Sequence, residues 1–181
     1  FNSPSFMEGL QAILTEHKVQ PTQLDVEVTE NLLLEHTDLV IEKLNQLRAM
    51  GVTVSIDDFG TGYSSLSYLK RLPVDTLKVD QSFVFDMTEN EDDRAIVQTI
   101  LAMAKTLRLK TVAEGVESQA HLALLQQYDC DQYQGYFFSK PIAPKEFEAL
   151  MIERLVKING VASIESSIPI RRVKSGISRT P

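Results

Sequence analysis

The sequence predicts an α/β fold and, within that class, a closed barrel of the TIM type. Three observations carry this. Strand and helix signals alternate along the chain, which implies parallel strands joined by crossover helices. Three successive strand segments alternate strictly between apolar and polar residues, whereas strands of an open sheet covered by helices on both faces read as continuous apolar runs. Polar residues also gather at the C-terminal ends of the strand segments, the end at which barrels place their chemistry.

Taken in order, the first element is a helix over Ser5–His17, followed by a strand over Leu24–Glu30. There Leu24, Val26 and Val28 oppose Asp25, Glu27 and Thr29. A helix over Asp38–Met50 ends at Gly51, where a C-terminal glycine cap belongs. In the strand Val52–Asp58, Val52, Val54 and Ile56 oppose Thr53, Ser55 and Asp57. A helix over Ser64–Arg71 leads to the strand Thr76–Asp80, in which Leu77 and Val79 oppose Thr76, Lys78 and Asp80. The helix Asp92–Leu107 carries Ile96, Ile100, Met103 and Leu107 at helical spacing, a stripe that core packing explains. The strand Thr111–Glu117 precedes a helix over Ser118–Tyr128, with Ser118 as its N-cap. A strand over Tyr133–Ser139 and a helix over Pro144–Ile158 complete the pattern. Residues 1–158 therefore form the domain. Residues 159–181 are a Ser-rich basic tail or exterior extension to which no chemistry is assigned.

The 181 residues suffice for one domain with a substantial core, and 43% hydrophobic with 24% charged residues is ordinary globular composition. A net charge of -7 argues against a nucleic-acid polymer as partner, since such proteins need clustered Lys and Arg. An acidic protein still binds a small phosphate ester where bound metals supply the positive charge. The single cysteine, Cys130, precludes an internal disulfide and fits a reducing compartment; it reads as a half-buried thiol rather than a nucleophile. No segment has the apolar length to span a bilayer, and no signal peptide is evident, so the expected location is cytoplasmic, with a membrane tether on the parent chain left open. His17, His36 and His121 are far apart in sequence and read as solvated or core-edge residues.

The most informative segment is Ser55–Ser65, a strand ending in adjacent carboxylates, Asp57 and Asp58, followed by a loop with Gly60, Thr61, Gly62 and Tyr63. Two readings stand for it: oxygen ligands for Mg²⁺ or Mn²⁺, or a helix cap built by Asp58 or Ser64. The other strand ends add Glu27, Glu30, Lys78, Asp80, Glu114, Glu117 and Gln134. Seven carboxylates converging with one Lys on one mouth repel strongly unless cations are present. Two divalent ions roughly 3.5–4 Å apart would resolve this and would activate water toward phosphorus.

Those residues bring a family with them. Glu27-Val28-Thr29-Glu30, Asp57-Asp58-Phe59-Gly60-Thr61-Gly62-Tyr63-Ser64-Ser65, Leu77-Lys78-Val79-Asp80, Val112-Ala113-Glu114-Gly115-Val116-Glu117 and Gln134-Gly135-Tyr136 stand in order from Phe1 to about Leu150. In these motifs the chain resembles the EAL-domain phosphodiesterases that hydrolyse cyclic di-GMP. The resemblance implies a TIM-like (β/α)8 barrel. It implies metal-dependent opening of cyclic di-GMP to linear 5′-pGpG by a metal-activated water attacking one phosphodiester, as part of bacterial second-messenger signalling. It implies two ions, Mg²⁺ or Mn²⁺, with Glu27 on the first metal, Asp57 bridging, Asp58 and Glu114 on the second, and Asp80 in the metal and water network. Lys78 resembles the lysine that orients the attacking water, and Gln134 a group that holds the water network. Glu30 resembles the glutamate that anchors the Phe59–Ser65 loop, and Glu117 a supporting carboxylate. Which group takes the water's proton is left open by the resemblance: Glu114 and Lys78 are both candidates, and the metals alone are the third. Implied partners are cyclic di-GMP, a second copy of the chain, and sensory or diguanylate-cyclase (GGDEF) modules on the parent chain.

The match departs from the family where the first three strands of the barrel would lie, before Phe1, together with the signature Glu-Ala-Leu glutamate and an Asn ligand. Glu148-Ala149-Leu150 falls in the last helix and reads as packing, and Asn2 falls past the Asn ligand's place, so neither is assigned. A non-catalytic cyclic di-GMP receptor and an inactive truncated fragment are the alternatives. Dinucleotide binding at Gly60-x-Gly62 is disfavoured, because Ser65 replaces the third glycine and Asp57-Asp58 would repel a pyrophosphate.

Overall fold

The computed structural model describes residues 1–150 apart from 2, 4, 36, 63–65 and 138, and apart from the side chains of 34, 35, 37 and 148. The sequence-based readings of Asn2, His36, Tyr63, Ser64, Ser65, Glu148 and the 159–181 tail lie outside the described residues. The chain divides into two compact units, Phe1–Lys140 and Pro141–Pro181.

The first unit opens with α1 (Phe6–Glu16) and a single 3-10 turn (Pro21–Gln23). Next come β1 (Asp25–Thr29), α2 (Glu30–Glu35), α3 (Thr37–Met50), β2 (Thr53–Phe59) and α4 (Leu66–Leu69). Then follow β3 (Thr76–Val79), α5 (Gln81–Asp86), α6 (Glu91–Leu107), β4 (Lys110–Glu114), α7 (Gln119–Gln127) and β5 (Gln132–Gln134). In the second unit, α8 spans Pro144–Leu150. Helices α3 and α6 bury an apolar stripe at helical spacing, Val40, Leu44 and Leu47 on α3 and Val97, Ile100, Leu101 and Ala104 on α6. Of the α6 residues read as core from the sequence, Ile100 is buried, Met103 and Leu107 are partly buried and Ile96 is exposed, because the buried face is centred about one residue further round the helix. Asn90 caps α6 by accepting from the N–H groups of Asp92 and Asp93, and Ser118 caps α7 by accepting from His121 N–H.

All five strands are parallel and lie in the order β1-β2-β3-β4-β5. A doubly wound sheet reverses its strand order at a switch point; this one does not, as in a barrel wall. The core therefore lies on the helix-covered face, where Val28, Val54, Ile56, Leu77, Leu44, Leu47 and Val97 are almost fully buried. Each such Val, Leu or Ile contributes about 1.5–3 kcal/mol of burial.

Two expectations about strand ends are corrected. The fifth strand ends at Gln134 instead of running to Ser139, because the chain turns at Gly135 onto the backbone of Val116. Glu30 and Asp80, read as strand ends, instead begin and cap the short helices α2 and α5. His121 is buried at 5% exposure, its Nδ1 accepting from Glu117 N–H at 3.3 Å, which makes it a core-edge residue of α7, the second of the two readings given for it. Among the described residues no helix is long and apolar enough to cross a membrane.

Candidate active site

Parallel order brings the C-terminal ends of the strands to one edge, and there Lys78 organises the site. Its Nζ lies 2.7 Å from Glu27 Oε1, 2.8 Å from Asp57 Oδ1 and 2.8 Å from Glu114 Oε1. One residue thus comes from each of β1, β2, β3 and β4. The Lys78 side chain is only 7% exposed, and a charge so far from water needs counter-charge in contact. Burial alone would lower the Lys78 pKa; hydrogen bonds to Asp57, Glu114 and Glu27 overcome this and hold it well above the ordinary lysine value. Glu114 moves up, because burial and the charges of Asp57 and Glu27 outweigh the attraction of Lys78.

In an unbroken strand, adjacent residues point to opposite faces, so Asp57 and Asp58 should not share a ligand. Here the β2–β3 register shifts between Ile56 and Phe59, and Asp58 takes φ 54°, a left-handed conformation that Asp tolerates better than most residues. As a result, oxygens of Asp57, Asp58 and Glu114 lie within 4.8 Å of one another. Partial burial pushes the Asp58 pKa up, and the nearby charges of Asp57 and Asp80 add to it.

The loop after β2 is held from beneath. Glu30, 2% exposed at the start of α2, accepts through Oε2 from Gly60 N–H at 3.0 Å and Gly62 N–H at 3.2 Å. Thr61 Oγ1 donates to the Asp58 carbonyl at 2.8 Å. Asp80 Oδ1 accepts from Ser82 N–H at 2.9 Å and from the Ser82 hydroxyl, capping α5. Gln134 lies in register with Glu114 across β4 and β5 and is exposed. Glu117 is exposed beyond the β4 tip.

The structure thus brings together Glu27, Asp57, Asp58, Lys78 and Glu114, with Glu30 holding the adjoining loop. Asp80 stands beside Asp58 with one oxygen engaged in capping, and Asp80 and Glu27 are outside the three-residue oxygen cluster. Sequence reasoning missed Asp25, whose Oδ2 accepts from Ser55 Oγ at 2.8 Å one layer below the site and whose pKa burial raises. Its place in the same alternating row as Glu27 was the available signal.

The residues fit divalent cations. Four carboxylates (Glu27, Asp57, Asp58, Glu114) face one ammonium, leaving an excess of negative charge, and the clustered donors are the hard oxygens that Mg²⁺ and Mn²⁺ prefer. Without cations such a mouth repels a phosphodiester.

A model of the EAL domain matches residues 1–141. Cyclic di-GMP phosphodiesterase NbdA of Pseudomonas aeruginosa is 54% identical over 138 residues, which is 76% of this chain and 18% of that protein. Among solved structures, a cyclic di-GMP complex of the MucR phosphodiesterase of Pseudomonas aeruginosa superposes with a TM-score of 0.78 at 42% identity, covering 81% of this chain and 59% of that one. A manganese and cyclic di-GMP complex of Klebsiella pneumoniae BlrP1 gives a TM-score of 0.71 at 35% identity, covering 77% of this chain and 36% of that one. The chain spans less than a quarter of the length of NbdA and of MucR. A family match across all five strands and the acidic edge they build makes this chain a member of the EAL domain family.

Proposed function

We propose that the protein to which this chain belongs hydrolyses cyclic di-GMP to linear 5′-pGpG with the help of two divalent ions, Mg²⁺ or Mn²⁺, in bacterial second-messenger signalling. The observation that carries the reading is the Lys78 ammonium clasped by Glu27, Asp57 and Glu114, with Asp58 turned in beside them. The cyclic di-GMP complexes of MucR and BlrP1, the second with manganese, support the ligand and the metal class.

In this reading Glu27, Asp57, Asp58 and Glu114 hold the ions, with Asp80 beside them, and bound ions supply Lewis acidity toward the phosphoryl oxygens and the water. Lys78 orients the water and offsets charge developing on the phosphoryl oxygens, a task that suits a compact ammonium fixed on a strand. Glu114 and Lys78 both stand where the attacking water would be held, and either of them, or the ions alone, would serve to take its proton. Gln134 and Glu117 support this network from the tips of β5 and β4. Glu30 fixes the loop carrying Gly60, Thr61 and Gly62.

A second copy of the chain is the proposed homodimer partner, with exposed Leu66 and Ile96 as apolar surface for it. MucR, named as a bifunctional diguanylate cyclase and phosphodiesterase, supports a GGDEF module on the parent chain. The proposed location is the cytoplasm.

The test is incubation of the purified protein with cyclic di-GMP and excess Mg²⁺ or Mn²⁺, with products separated by chromatography. Linear pGpG, lost in Asp57→Asn, is the expected result. Tight binding of cyclic di-GMP without any product would replace hydrolysis by a receptor role.

A further inference from the structure

We infer that Gly135 is a positioning residue for the site: it lets the tip of β5 close onto the backbone of Val116 and so sets where Gln134 and Glu114 stand. This rests on the function proposed above.

A Cβ built at Gly135 would lie 2.1 Å from the Val116 carbonyl oxygen and 2.3 Å from its amide nitrogen. Those atoms are backbone and cannot swing aside. They are also tied to the same tip from both sides: Val116 N–H donates to the Gln134 carbonyl at 3.1 Å, and the Val116 carbonyl accepts from Phe137 N–H at 2.9 Å. Any side chain at position 135 therefore has to break this exchange and part the two tips by about 1 Å, since packed interiors offer no slack of that size.

What moves is not remote from the chemistry. Gln134 precedes Gly135 directly and pairs with Glu114. Val116 follows Glu114 by two residues, and the next residue, Glu117, is pinned through its N–H to the buried His121. On the opposite side Gly115, at φ 73°, lies against the start of α5, where an added Cβ would meet Gln81 Cβ at 2.7 Å. The Glu114–Glu117 segment is thus gripped between α5, α7 and the β5 tip, and of these the β5 tip carries Gln134, the residue in register with Glu114. The contacts that Glu114 makes with Lys78 at 2.8 Å leave no room for such a shift. A misplacement of about 1 Å costs on the order of 10²-fold in rate.

The experiment uses the full-length protein and Gly135→Ala, with Gly9→Ala as control, because a Cβ at Gly9 meets nothing within 4 Å. We expect kcat on cyclic di-GMP to fall about 50- to 100-fold with KM within about threefold, and Mn²⁺ affinity, read by electron paramagnetic resonance, to fall about tenfold. A folded Gly135→Ala protein with kcat and Mn²⁺ affinity within about threefold of the parent overturns the inference. So does a cycle in which Gly135→Ala costs as much in a Gln134→Ala background as in the parent, because independent effects add. Where Gly135→Ala does not fold, Gln134→Ala alone decides, being an exposed change; full activity there means that the β5 tip positions nothing, which overturns the inference. A parent that binds Mn²⁺ and hydrolyses no cyclic di-GMP refutes the proposed reaction instead, and the Mn²⁺ arm then tests Gly135 by itself.

Discussion

Gly62 sits directly against Glu30: its N–H donates to Glu30 Oε2 at 3.2 Å, and a Cβ on it would fall 2.8 Å from Glu30 Cδ. The carboxylate that anchors the loop thus occupies the space a side chain at 62 would need. Gly62→Ala is expected to lower kcat at least tenfold with little change in Tm, because the clash reaches only the loop. Glu30→Ala leaves the N–H groups of Gly60 and Gly62 without their acceptor and is expected to lower kcat on the order of 10²-fold. Hydrogen exchange at Gly60 and Gly62 checks the cause: both amides should exchange faster in Glu30→Ala. Unchanged exchange with lost activity would place the effect elsewhere.

Lys78→Met removes the one ammonium among three carboxylates. Breaking a buried pair costs about 3–5 kcal/mol, but partly hydrated carboxylates reduce this, so about 2 kcal/mol is expected. Urea denaturation in EDTA measures it. Mn²⁺ should restore much of the loss in stability while leaving hydrolysis absent, since cations replace the missing charge but not the oriented ammonium.

The pH dependence of the metal-free protein follows from Glu114. Its folded pKa is raised above the unfolded value, so its contribution favours the fold below the unfolded pKa of about 4.3 and is lost as pH rises through the folded value. Lys78 acts in the same direction: its raised pKa gives stability that is fully present below about 10.4 and lost as pH climbs through the folded value. In EDTA the parent should therefore lose stability relative to Glu114→Gln as pH rises from the unfolded pKa of about 4.3 through the raised folded value. Thermal melts of both proteins across that range test it; parallel profiles would show that Glu114 is not perturbed.

At the opposite end of the sheet, Asp131 Oδ2 accepts from Thr111 N–H at 2.9 Å and from Thr111 Oγ1 at 2.8 Å, and Asp131 N–H donates back to Thr111 Oγ1 at 3.0 Å. Asp131→Ala is expected to cost about 1–3 kcal/mol of stability. At temperatures where the variant remains folded, kcat should match the parent. Loss of kcat at full folding would mean that strain at this end reaches the site.

Much of this arrangement was legible in the sequence, for a physical reason. The period of two in Leu24–Glu30, Val52–Asp58 and Thr76–Asp80 separates core from site whatever the tertiary detail and puts Glu27, Asp57 and Lys78 in polar rows, while Glu114 joined them through its place near a strand end and the family resemblance. The six-residue helices α2 and α5 were not legible. They begin directly at strand ends and are too short for a helical period to show, although Asp80 followed by Ser82 is the cap pattern that marks α5. The end of β5 at Gln134 was hidden for another reason: it depends on a backbone contact with Val116, distant in sequence, that side-chain pattern does not encode.

The left-handed turn of Asp58 has a consequence for how this edge tolerates change. A strand normally spends every second residue on the core, so two ligands on one face need three positions. By dislocating the strand at one residue, the chain obtains two neighbouring acids on one side and still returns Phe59 to the interior, 7% exposed. Substitution at 58 is therefore a question of handedness before it is one of charge. Asn can follow the dislocation, whereas a β-branched residue such as Val would pull the strand back into alternation and swing the whole following loop with it.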